Sequence, residues 1–185
     1  MPHAPEPAPV LLLIDLQKAI DHPSWGERNN PDAESNVTRL LAHWRARRWP
    51  VWHIRHDSIE TASHYRPGQP GHDFREGSAP RPGERIIVKT TNSAFIGTTL
   101  EADLRARGDG RVVVAGVITN NSVEATVRMG GNLGFDIELV EDACFTFARR
   151  DWRGVLRTAD EVHAMSLANL DGEYCRVVIT SDLVD

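Results

Sequence analysis

The chain alternates short, continuous apolar runs with longer stretches in which apolar residues recur every three or four positions. The runs fall at 10–14, 51–55, 85–88, 112–115, 135–140 and 174–179. Most are rich in β-branched or large aliphatic residues, as strands buried on both faces are. Between them, 32–49 carries a stripe of Val37, Leu40, Leu41 and Trp44, with Arg45, Arg47 and Arg48 near its end and Pro50 after it. That pattern predicts a helix with a basic C-terminus and a hard stop. Further helices are predicted over 97–107, from residue 122 onward with Val123, Val127 and Leu133 inward, and over 151–170 with Val155, Leu156, Val162, Met165 and Leu167 inward. Strands and helices in alternation predict a three-layer α/β domain, a doubly wound parallel sheet of six strands covered on both faces. Residues 1–9, rich in Pro and Ala, predict a flexible tail, and 10–185 a single domain.

Polar residues at the strand ends come next. Asp15 follows the first strand, Lys89 the third, and Ser122 the turn after the fourth. In an open parallel sheet all three belong to the carboxyl edge, where such folds bind their ligands. Gly116 permits a sharp departure from the fourth strand. Thr119, Asn120 and Asn121 are N-cap types, and Glu124 stands where a capping-box partner would reach back. Ser122 therefore sits in the first turn of a helix, where unpaired N–H groups favour negative charge and can hold an oxyanion. An ordinary βα loop with a capping serine has the same pattern. Gln17 follows Asp15 on the same side of the chain. Trp25 and Phe95, like Phe145 and Phe147, are candidates for an apolar wall around a small planar substrate or for plain core. The stretch 58–84 is long, polar and rich in Gly, Pro and His; it is expected to cover the site or meet a second subunit.

Charge and cysteine content remove other classes. The net charge of −5 gives no footing for nucleic acid, and no apolar run is long enough to span a bilayer. No basic-then-apolar leader opens the chain, and two cysteines make no disulfide framework, so a cytoplasmic location is expected. Cys144, after the fifth strand, is an alternative nucleophile without a basic neighbour in sequence. His53 and His56 look like a chelating pair, yet at that spacing on a strand they point to opposite faces, so no metal is expected. His64 and His72 lie in the long loop, to contact substrate or solvent, and His163 packs on its helix.

Several stretches together carry a resemblance. Leu-Leu-Ile-Asp-Leu-Gln at 12–17, Val-Lys-Thr-Thr-Asn-Ser-Ala-Phe at 88–95 and Gly-Val-Ile-Thr-Asn-Asn-Ser-Val-Glu-Ala-Thr at 116–126 resemble the isochorismatase-like cysteine hydrolases. So do Leu-Val-Glu-Asp-Ala at 139–143 and His-Ala-Met-Ser-Leu-Ala-Asn-Leu at 163–170. That family includes nicotinamidases, N-carbamoylsarcosine amidase and ureidoacrylate amidohydrolases. The resemblance implies a sheet order of 3-2-1-4-5-6 and hydrolysis of a small-molecule amide without a cofactor. It assigns Asp15 as proton carrier, Lys89 as its orienting cation, and position 122 as the nucleophile. Backbone N–H groups of Ile118 and Ser122 would hold the oxyanion, with a cis peptide at Val117–Ile118. Gln17, Trp25, Phe95 and Asn121 are the expected substrate contacts. A homodimer or homotetramer is implied as well. The Asp-x-His metal motif of the nicotinamidases is not matched by Arg-His-Asp-Ser at 55–58.

One position departs from the amidase pattern: serine stands at 122 where the amidases have cysteine. A free thiol has a pKa of about 8.5, whereas a hydroxyl is a far weaker acid for which a carboxylate is a poor base. The chain as written is therefore expected to be a weak amidase or none. Two origins fit the serine. It is a single introduced change in an otherwise amidase-like segment, or it is natural. In the second case Asp15 would act directly as general acid, as in the members that cleave the vinyl ether of isochorismate. A third reading is a binding protein that keeps the pocket without catalysis.

Overall fold

The computed structural model describes residues 7–108 and 110–184. Six strands form one parallel sheet: β1 (Val10–Ile14), β2 (Val51–His56), β3 (Arg85–Lys89), β4 (Val112–Val117), β5 (Ile137–Phe145) and, last in the chain, β8 (Arg176–Val178). Their order is β3-β2-β1-β4-β5-β8. This is the doubly wound order 3-2-1-4-5-6, because β6 (Arg149–Arg150) and β7 (Leu156–Arg157) form a separate two-stranded ribbon. β1 lies at the centre, and its residues alternate between two cores. Leu11 and Leu13 pack with α1 (Ala33–Arg47) on one face. Val10, Leu12 and Ile14 pack with α2 (Leu100–Ala106) and α3 (Glu124–Asn132) on the other. Each buried aliphatic side chain contributes about 1.5–3 kcal/mol, so this strand anchors the sheet from both sides.

Boundaries differ from the expected ones for identifiable reasons. α1 ends at Arg47 because Arg48 turns left-handed (φ 57°). α2 starts at Leu100, not at 97: Gly97 has φ 67° and the Leu100 N–H is taken by Thr98 Oγ1. β5 runs on past Val140. Between Val114 and Gly116 its partner residue jumps from Leu139 to Cys144, so 140–143 bow out of register before pairing resumes. Asn30 Nδ2 holds that bow through the carbonyls of Glu141 and Cys144, at 2.9 and 2.7 Å. The long helix expected over 151–170 is corrected. α4 is only Ala159–Ala168, and residues 149–157 form the small ribbon. Asp151 causes this: its Oδ1 accepts the N–H groups of Arg153 and Val155, and Gly154 takes φ 82° to close the turn. Thr158 then caps α4 in a capping box with Glu161. Of the tail expected over 1–9, residues 1–6 lie outside the described residues. Pro9 is buried, and its carbonyl accepts the Trp44 indole N–H at 2.9 Å.

Candidate active site

Three strand ends meet at the carboxyl edge. β1 gives way to Asp15, whose backbone is left-handed (φ 52°), a conformation that aspartate tolerates better than most residues. The turn leaves its carboxylate buried at the sheet rim. Lys89 is the last residue of β3, and its side chain is wholly buried. It reaches past the end of β2, and its Nζ donates to Asp15 Oδ2 at 2.7 Å. The same ammonium donates to Ser122 Oγ at 3.1 Å and to the Thr91 carbonyl at 3.1 Å. Asp15, Lys89 and Ser122 are thus brought together, although 74 positions separate the first two in the chain.

Ser122 is placed by an unusual turn. After β4 the Val117–Ile118 peptide is cis, and Thr119–Val123 form a wide π-type turn before α3. The N–H groups of Asn121 and Val123 both fold back onto the Ile118 carbonyl, at 3.0 and 3.3 Å. Gly116 is required just before this: a Cβ there would stand 2.2 Å from the Ile14 carbonyl oxygen, and its φ is 131°. The capping box expected from Thr119–Asn121 and Glu124 does not form. Glu124 instead accepts from Arg128 at 2.8 Å and from the Ser166 hydroxyl at 2.5 Å.

A cleft of about 270 Å³ opens above these groups. Asp15, Trp25, Val117, Ile118, Asn121 and Ser122 line it. The long loop contributes Ser58, Glu60, Ser63 and Tyr65 to the same lining. Of the stretch 58–84, residues 58–65 thus border the site, and the Gln17↔Phe74 bridge ties a later part to the chain after β1. Desolvation and the nearby Asp15 carboxylate push the Tyr65 phenol well above its usual range. Asp15 Oδ1 is buried and has no hydrogen-bond partner among the described residues.

Two expected substrate contacts are corrected. Gln17 is fully buried and spends its amide on backbone, accepting from His56 N at 2.8 Å and donating to the carbonyls of His56 and His72. It straps the loop to β2 and offers nothing to a ligand. Phe95 is half-buried, stacks on Phe135 (5.6 Å between centroids), packs against the core beneath α3 and does not line the cleft. Phe145 and Phe147 are core as well, with Trp25 stacked on Phe147 at 5.4 Å. Cys144 is sealed in the core, where burial pushes its thiol up to about 12, so it is no nucleophile.

The histidines divide. His53 pairs with Glu84 at 2.9 Å, His72 with Asp57 at 2.7 Å, and His64 stacks on His22. His163 packs against Thr119 Oγ1 at 2.9 Å. Among the described residues no three His, Cys, Asp or Glu side chains converge to hold a metal ion. His56 was not anticipated at the site. It ends β2, lines the cleft, and sets Nδ1 3.2 Å from Lys89 Nζ. Its position one strand from Asp15 was a usable signal, since it shares the carboxyl-edge address of the other three.

Two larger hollows lie elsewhere, about 380 Å³ beside Arg75 and about 820 Å³ beside Trp152. No helix among the described residues is long and apolar enough to cross a membrane.

Comparison with known proteins fits this architecture. The isochorismatase domain model matches residues 9–182. The isochorismatase family protein YrdC of Bacillus subtilis (strain 168) is 41% identical over 175 residues, 95% of this chain and 94% of that protein. Streptothricin hydrolase of Streptomyces noursei is 32% identical over 140 residues, 74% of this chain but 49% of that protein. A solved protein of the isochorismatase family from Chromobacterium violaceum ATCC 12472 is 64% identical, with a TM-score of 0.93 over 99% of this chain and 96% of the other.

Proposed function

The chain belongs to the isochorismatase family of hydrolases, and on that premise we propose that it cleaves a C–N bond of a small amide. The observation that carries this reading is Asp15, a carboxylate lining the same cleft as Ser122, whose Oδ1 has no hydrogen-bond partner among the described residues. Lys89 occupies the other carboxylate oxygen, which leaves Oδ1 to take and return a proton. In the proposed reaction the Ser122 hydroxyl attacks the amide carbon and its proton passes to Asp15. The tetrahedral oxyanion lies against the N–H groups of Ile118 and Ser122. Asp15 then protonates the leaving amine as the C–N bond breaks, which leaves an acyl ester on Ser122. Water, deprotonated by Asp15, hydrolyses that ester and restores the hydroxyl.

Serine limits the rate in this scheme, because a carboxylate is a poor base for a hydroxyl. Ser122→Cys is expected to raise turnover of a panel of small amides at least about tenfold, since a thiol ionises far more readily. Absence of any gain would count against the amidase reading. A direct role for Asp15 on a vinyl ether would appear instead as turnover of isochorismate that survives Ser122→Ala. Calorimetric binding of an amide without turnover in both the serine and cysteine forms would assign a binding protein.

A further inference from the structure

Lys89 offers three protons to four acceptors. Asp15 Oδ2, Thr91 O, Ser122 Oγ and His56 Nδ1 stand 2.7, 3.1, 3.1 and 3.2 Å from Nζ. A lysine ammonium has no fourth N–H, so one acceptor must share or go without. Asp15, the shortest and charged, holds its proton firmly. The Thr91 carbonyl is backbone two residues along and moves with the lysine. Competition therefore lies between Ser122 Oγ and His56 Nδ1.

We propose that His56 is a positioning residue for this site, taking a Lys89 proton on its bare Nδ1 and so withholding that proton from the residue at position 122. Neutral His56 keeps that ammonium proton off Ser122 Oγ, which leaves the oxygen more electron-rich toward a reacting carbon or a ligand donor. Protonated His56 cannot accept, and its share of the ammonium passes to Ser122. The arrangement also fixes the tautomer: with Nδ1 bare, the ring carries its proton on Nε2. The groups that face this ring come from every neighbouring element. Lys89 on β3 opposes its protonation, while Asp15 after β1 and Asp57 and Glu60 after β2 favour it. The Tyr65 ring from the long loop meets it edge-on, 5.7 Å between centroids. Desolvation first, then Lys89, hold its pKa below the usual 6.5, so the neutral form prevails at and above that pH. The withholding is lost as pH falls through the lowered value.

The proposal extends the reading of Ser122 as nucleophile, yet its test needs no substrate. Nitrogen-15 NMR of the histidine-labelled, unmodified chain, with His56 assigned by loss of its signal in His56→Asn, should show the Nε2–H tautomer titrating below pH 6.5. An Nδ1–H tautomer, or an even mixture of the two, would overturn it. The second measurement uses the Ser122→Cys protein and the pH midpoint for iodoacetamide alkylation of the introduced thiol, read by peptide mass. Asparagine places an oxygen near the position of Nδ1, so His56→Asn should leave that midpoint in place. His56→Gln carries its oxygen too far out, frees the Lys89 proton for the thiolate, and should lower the midpoint by roughly one pH unit. Equal shifts in the two variants would reduce His56 to packing and end the proposal. Amide turnover enters neither measurement, so failure of the amidase reading leaves both outcomes interpretable.

Discussion

Asp15 and Glu138 share an anomaly: each is a buried carboxylate with one oxygen that finds no hydrogen-bond partner among the described residues. Their surroundings differ. Glu138 is the second residue of β5, near the amino end of the sheet, and its paired oxygen meets Arg111 at 3.4 Å and Arg176. Both arginines hang in water, 43% and 67% exposed. Asp15 is paired with a lysine whose side chain is 0% exposed. Asp15 lines a cleft, whereas Glu138 lines none of the three hollows described above. An unpartnered oxygen alone therefore does not mark a site. A cation that cannot leave, together with room for a ligand, does.

Four experiments test the contrast between these two carboxylates. The largest effect is on turnover: Asp15→Asn should lower it about 10²–10⁴-fold on any amide the chain accepts, as expected for loss of a general base. Glu138→Gln should leave turnover unchanged, and an equal loss in both would erase the distinction. Next, Lys89→Met strands the buried Asp15 charge and should cost about 3–5 kcal/mol in urea denaturation. The third test uses a carboxylate with no bare oxygen. Glu84 accepts from Arg45, His53 and the Arg81 N–H. Although desolvation opposes ionisation, these bonds hold its carboxyl down at about 2, from a usual 4.5. Such a depressed pKa contributes stability that is full above pH 4.5 and drains away as pH falls toward about 2. Glu84→Gln should thus cost on the order of 2–3 kcal/mol at neutral pH, with the gap to the unmodified chain closing in acid unfolding at low pH. The smallest effect belongs to Arg176→Ala, below about 1 kcal/mol and weaker still in high salt, because an exposed guanidinium is already screened. A cost matching that of Lys89→Met would contradict the role given to burial of the cation.

The sheet and its carboxyl-edge trio were legible because their signals are local. A β-branched run, a Gly and a polar strand end each occupy a few adjacent positions, and parallel topology then brings them to one rim. Gln17 and Phe95 were misread because their partners are distant in the chain. Nothing near Gln17 announces that the backbone of His56 and His72 uses up its amide. His56 was passed over because its spacing from His53 drew attention to metal binding, while its strand-end address went unused. The helix expected over 151–170 failed through a turn signal given too little weight. Asp151 and Gly154 close a ribbon, and Val155, Leu156 and Met165, which the stripe placed inward, are exposed.

Gly116 gives the molecule a division of freedoms. Any side chain there would collide with the Ile14 backbone, one residue before Asp15, so substitution would pry the two central strands apart. Six positions on, Ser122 lies over open cleft, where a thiol, a methyl or a hydroxyl fits without moving a strand. Chemistry in this scaffold is consequently interchangeable while the hinge that aims it is not: a library built at 122 would sample reactivities on a constant frame, and one built at 116 would return mostly misfolded chains.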